Sequence, residues 1–81
     1  MKARVRFFAA MREALDRAEM EIELPAGTTV QQLVSLIAEQ YPVLRSYLDS
    51  ALVAVNRKYA FPQTELHDED EVAFVPPVGG G

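Results

Sequence analysis

Only one stretch of this chain carries the apolar repeat of a long amphipathic helix, so the remaining apolar residues must be arranged to cover it. Val30, Leu33, Val34 and Ile37 recur at i, i+3, i+4 and i+7 and line one stripe. Thr29 and Gln32 have capping-box spacing, in which each side chain satisfies an orphan amide, so the helix starts there. Pro42 should stop it near Tyr41. What flanks the helix reads as strand. Ala3, Val5 and Phe7 alternate with Arg4, Arg6 and Phe8, and Met20, Ile22 and Leu24 alternate with Glu19, Glu21 and Glu23.

Between those two strands, Ala10 to Asp16 is rich in helix formers and predicts a short helical turn, and Pro25-Ala26-Gly27 turns the chain into the main helix. Beyond Pro42, the spacing of Leu44, Tyr47 and Leu48 predicts a second short helical segment crossing the core between Val43 and Ser50. Leu52 to Val55 is a strand, Asn56-Arg57-Lys58 a turn, and Tyr59 to Phe61 a brief return strand that ends at Pro62. A polar loop, Gln63 to Asp70, leads to a last strand, Glu71 to Val75, with Val72 and Phe74 on one face and Ala73 and Val75 on the other. Two early strands, one long helix and late strands from distant sequence predict an α+β fold in which a mixed sheet wraps around one main helix. Residues 1–75 are expected to form one domain, with 76–81 as a flexible tail.

Composition narrows the function. A chain of 81 residues buries only about 60% of the surface its unfolded form exposes, and 49% hydrophobic content is enough for one core. There is no cysteine, which excludes disulfides, a thiolate nucleophile and a cysteine metal site, and suggests an intracellular, cytoplasmic setting. Met1-Lys2-Ala3 runs directly into a strand pattern, so an unprocessed start is expected, and no apolar stretch approaches the roughly 20 residues that cross a bilayer. Twelve acidic against eight basic residues leave a net charge of −4, which disfavours nucleic acid and anionic membrane and favours protein partners.

The sequence closes on Val75-Pro76-Pro77-Val78-Gly79-Gly80-Gly81. Pro76-Pro77 restricts φ, removes two amide donors and should end the last strand. Glycines without Cβ atoms make a thread slim enough for a narrow active site on another protein. The terminal carboxylate is therefore the expected working group, in contrast to a merely frayed end.

The order of elements, Phe7-Phe8-Ala9, Ala54-Val55-Asn56, Asp70-Glu71-Val72-Ala73-Phe74 and the Pro76-Pro77-Val78 tail ending in Gly80-Gly81 together resemble the family of molybdopterin synthase small subunits, along the whole chain. The resemblance implies a ubiquitin-like β-grasp fold and a sulfur carrier. It departs at Asp68-Glu69-Asp70, where such proteins usually carry Asp-Gly-Asp, so a left-handed turn is less expected there. The tail also has a further glycine, Gly79.

By the same resemblance, an E1-like activating enzyme adenylates Gly81 with ATP, a sulfur donor displaces AMP, and the thiocarboxylate attacks a cyclic pyranopterin phosphate held by the large synthase subunit, building the molybdopterin dithiolene. Gly80 and Gly81 would carry the reach and Gly81 the sulfur. This chain would bind no cofactor and would donate sulfur without itself being catalytic, within a heterotetramer of two small and two large subunits. Phe8, Tyr59 and Val75 are expected to cluster at the tail's root as an exposed partner surface, joined by Pro76, Pro77 and Gly79. The alternative is that the sheet curls and buries the first three in a satellite core.

Other chemistry is sparse. His67 lies among Asp68, Glu69, Asp70 and Glu71, which read as a solvated loop and not a metal site, and Ser35, Ser46 and Ser50 have no evident base. Glu19, Glu21 and Glu23 read as an outward strand face. Two rival readings stay open: a carrier serving thiamine synthesis, tRNA thiolation or ubiquitin-like conjugation, and a β-grasp interaction domain whose glycines are incidental.

Overall fold

A computed structural model describes residues 1–75. In chain order these form β1 (Lys2–Phe7), α1 (Ala9–Leu15), β2 (Glu19–Glu23), α2 (Val30–Gln40), a 3₁₀ turn (Pro42–Leu44), α3 (Arg45–Leu48), β3 (Leu52–Val55), β4 (Lys58–Tyr59) and β5 (Glu71–Val75). The five strands make one mixed sheet in the order β2-β1-β5-β3-β4. β1 and β5 run parallel at its centre, and every other pairing is antiparallel. This is the α+β β-grasp arrangement, with α2 laid across one face.

The alternation of β1 becomes a division of faces. Ala3, Val5 and Phe7 are buried, as are Val72 and Phe74 of β5, and the Phe7 and Phe74 rings stack with centroids 5.9 Å apart. Val30, Leu33 and Ile37 of α2 close the core from above, with Met11 of α1, and with Leu44 and Leu48 from the segment after Pro42. Helix α2 starts where its capping box lies. The Gln32 amide donates to Thr29 Oγ1 (3.3 Å) and the Thr29 amide donates to Gln32 Oε1 (3.0 Å). The amides of Val30 and Gln31 donate to the carbonyls of Thr64 and Pro62, so the first turn has its free donors satisfied. Those contacts dock the loop before β5 onto the helix and seat Leu66, 1% exposed, in the core. The polar character of that loop concealed a core residue. At the entry to α2, Gly27 has φ +86 and the Thr28 amide reaches the Pro25 carbonyl (3.3 Å), a turn that needs a residue free to be left-handed.

Three local expectations are corrected. The return strand is Lys58–Tyr59 and not Tyr59 to Phe61. Asn56 (φ +51) and Arg57 (φ +71) are both left-handed and form a two-residue hairpin turn, which starts the return one residue earlier. Second, Glu69 takes φ +69, so the left-handed turn persists although a glutamate occupies it. Third, Asp70 is not solvated but 9% exposed. Its Oδ1 accepts from Asn56 Nδ2 (2.9 Å) and its Oδ2 from the His67 amide (2.7 Å). Asn56 Oδ1 in turn accepts from the Glu71 amide (3.0 Å), so one side chain clasps the β3–β4 hairpin to the start of β5.

Two stability measurements follow from this clasp and its strained neighbour. Asn56→Gly keeps the left-handed backbone but removes both side-chain bonds, and should lower unfolding free energy in urea by about 2 kcal/mol; an unchanged midpoint would show the clasp to be idle. Glu69→Gly relieves a backbone that costs an L-residue roughly 1 kcal/mol, so its midpoint should rise, by somewhat less than that once glycine's unfolded-state freedom is counted.

Candidate functional site

Residues paired across neighbouring strands point to the same side of a sheet, so the registers define the face away from α2. Across its middle runs Glu19, Arg6, Ala73, Ala54 and Tyr59. The next row holds Val75 paired with Leu52. Phe8 follows the Phe7–Phe74 pair by one residue, at the same end of the parallel pair as Val75. Phe8, Leu52 and Tyr59 are exposed, and Val75, Ala54 and Ala73 are half-buried. One half of this face is therefore apolar, with a low floor of two alanines between larger side chains.

The structure places Phe8, Tyr59 and Val75 on this common outer face, with Phe8 and Val75 adjacent at one end and Tyr59 on the edge strand beside Ala54. Leu52 joins them and was missed by sequence reasoning. Its outward direction depends on the antiparallel register of β3 with β5, which a four-residue strand does not reveal on its own. Strand β5, the central one, ends at Val75 between β1 and β3. Pro76, Pro77, Gly79, Gly80 and Gly81 lie outside the described residues.

The other half of the face is charged and self-matched. Lys2 Nζ lies 3.5 Å from Glu21 Oε2, Arg6 Nε 3.8 Å from Glu19 Oε2, and Arg6 Nη1 3.9 Å from Glu71 Oε2. The three glutamates of β2 thus form the outer row expected of them, with two of them paired to β1. Such exposed pairs add little to stability, but they keep this half of the face polar and set a boundary to the apolar half.

Catalytic machinery is not assembled among the described residues. His67 is exposed with Nδ1 3.9 Å from Asp70 Oδ2, while Asp70 is already committed to Asn56 and the His67 amide. Asp68 Oδ1 accepts from the Lys2 amide (2.7 Å). Among the described residues no group of three or more His, Asp or Glu is placed to hold a metal ion. Ser35, Ser46 and Ser50 are all exposed. A groove of about 290 Å³ between α2 and β3 is lined by Val30, Val34, Leu48, Ala51 and other residues, none with a charged side chain. Nor is any helix among the described residues long and apolar enough to cross a membrane. The distinctive surface is therefore the apolar half-face around the exit of β5.

The chain as a whole has relatives along its full length. A molybdopterin synthase sulfur carrier subunit from Mycobacterium tuberculosis is 43% identical over 82 residues, spanning all of this chain and 99% of the relative. The solved structure of a putative molybdopterin converting factor, subunit 1, from Pyrococcus furiosus superposes with a TM-score of 0.87 at 32% identity, covering 96% of this chain and 99% of that one. A second match, with TM-score 0.74, 26% identity and full coverage of both chains, comes from a solved complex of subunits 1 and 2 of the molybdopterin-converting factor from Helicobacter pylori. The model of the ThiS family matches residues 5–81, and with this length-wide likeness the chain belongs to the ThiS family.

Proposed function

We propose that this protein is the sulfur-carrying small subunit of molybdopterin synthase, with Gly81 as the atom-bearing end and the apolar half-face as the surface by which it docks. The observation that carries this reading is the position of β5. Strand β5 ends at Val75, at the same end of the sheet where Phe8 and Leu52 stand, so a partner gripping that surface would meet whatever follows Val75 at a set place. The likeness to sulfur carrier subunits, and to a chain of a complex of subunits 1 and 2 of a molybdopterin-converting factor, supports a second synthase subunit as that partner.

The chemistry needs activation because a carboxylate is a poor acyl electrophile. An E1-like enzyme would join Gly81 to AMP at the expense of ATP, releasing pyrophosphate. A donor of sulfide-level sulfur would then deliver HS⁻ to the acyl carbon and expel AMP, leaving a thiocarboxylate. Its sulfur is a soft nucleophile and would attack an electrophilic carbon of the cyclic pyranopterin phosphate in the large subunit, displacing the oxygen that carbon carries. Water cleaves the resulting thioester, returns the Gly81 carboxylate and leaves sulfur on the pterin. A dithiolene holds two sulfurs, so two charged carriers are consumed for each product. The described residues supply docking and delivery, and the partners supply catalysis. Both partners would use the same half-face in turn, and the assembly would hold two small and two large subunits in a cytoplasmic setting.

One residue appended after Gly81 should abolish sulfur loading by the activating enzyme, ATP and a sulfur donor while leaving thermal unfolding unchanged; retained loading would remove Gly81 from the mechanism. Gly81 found instead in isopeptide bonds to lysines of other proteins would favour a modifier, and delivery to thiamine or tRNA would redirect the carrier. Phe8→Glu buries an unpaired charge at the docking surface, so affinity for the large subunit should fall about tenfold or more. Stability should stay within about 0.5 kcal/mol, since Phe8 is a surface residue. Unchanged affinity would take Phe8 out of the surface.

A further inference from the structure

We propose that Arg6 is a positioning residue for the docking face, holding the Phe8 ring in the orientation that a partner meets. The inference rests on the carrier reading above and adds to it a residue outside the apolar patch. Phe8 occupies an awkward place. It stands one residue past the last β1–β5 pair, and the chain turns sharply beyond it through Ala9 at φ +52, so the ladder does not hold it on both sides. Its ring is on the outer face, away from the core that fixes Phe7. A large side chain so placed loses rotamer freedom when a partner binds, unless something has already ordered it.

Arg6 provides that order. Its Cζ lies 5.7 Å from the Phe8 ring centroid, within the range where a guanidinium is drawn to an aromatic face. The guanidinium is itself drawn to a carboxylate on each neighbouring strand, Glu19 on β2 (Nε to Oε2, 3.8 Å) and Glu71 on β5 (Nη1 to Oε2, 3.9 Å). A planar fork can reach two carboxylates and still lie over a ring, whereas a lysine ammonium would act as a point charge and could not bridge in this way. The bracing therefore runs from two neighbouring strands through Arg6 to Phe8. Because each ion pair is partly exposed, its consequence should appear in binding and hardly at all in folding.

The test is a double-mutant cycle, with dissociation constants for the purified large subunit of the same organism measured for the full-length wild type, Arg6→Ala, Phe8→Ala and the double variant. Arg6→Ala should weaken binding about three- to tenfold, as expected for releasing one preorganised side chain. In the Phe8→Ala background the same change should cost less than about twofold, because Arg6 acts through the ring. Arg6→Lys should recover only part of the loss. Equal effects in both backgrounds, or no effect of Arg6→Ala, would overturn the positioning role. A wild type that does not bind the large subunit, or Phe8→Ala without effect, would instead overturn the carrier surface. The brace is also readable without any partner: the NMR signals of the Phe8 ring and the Arg6 side chain should shift between the free wild type and Arg6→Ala beyond the substituted residue's own contribution. An unmoved Phe8 ring would overturn the brace by itself.

Discussion

Parallel pairing of β1 with β5 is the constraint on which the rest of the molecule depends. Two strands from opposite ends of the chain can lie side by side and parallel only if the chain between them crosses over the sheet, and α2 provides that crossing. The pairing sets Val5 beside Val72 and Phe7 beside Phe74, so the core is built around a seam joining the two ends of the sequence. It also brings the exit of β1, where Phe8 stands, to the exit of β5, where the tail departs. Core and apolar outer face are thus two sides of one register.

This arrangement divides the work between faces. Inward residues are buried and interlocked, and truncating a ring such as Phe74 there would cost about 3–5 kcal/mol. Outward residues spend nothing on the core and are free to serve recognition. Within the outer face there is a second division: Lys2, Arg6, Glu19, Glu21 and Glu71 pair among themselves, apart from the apolar Phe8, Val75, Leu52 and Tyr59. A surface of this kind binds by shape and apolar contact, with aromatic residues as anchors.

How much of this was legible in the sequence depended on whether the deciding contacts were local. Helix α2, its capping box and its stop before Pro42 rest on residues within a few positions of one another, and the structure has them as read. The faces of β1 and the bounds of β3 were equally plain. Asp70 was misread because acidic residues ordinarily stay in water, while its partner Asn56 lies fourteen positions away. The hairpin was placed one residue late because an arginine gives no sign of φ +71, and Glu69 gives no sign of φ +69. Both are held there by the surrounding turns against their own preference. On the site, Phe8, Tyr59 and Val75 could be singled out as outward apolar residues, but Leu52 could not, since its direction is settled by a partner strand some twenty residues away in sequence. The brace of Arg6 on Phe8 needs the same non-local registers, and periodicity alone shows only that the two share a face.

The claim most exposed to test is that Gly81 carries sulfur. The C-terminal peptide should be weighed by mass spectrometry after the protein has been incubated with its activating enzyme, ATP and a sulfur donor. Replacement of one carboxyl oxygen of Gly81 by sulfur is the result this account predicts; an unmodified carboxylate with all three supplied would contradict it and leave a β-grasp binding module.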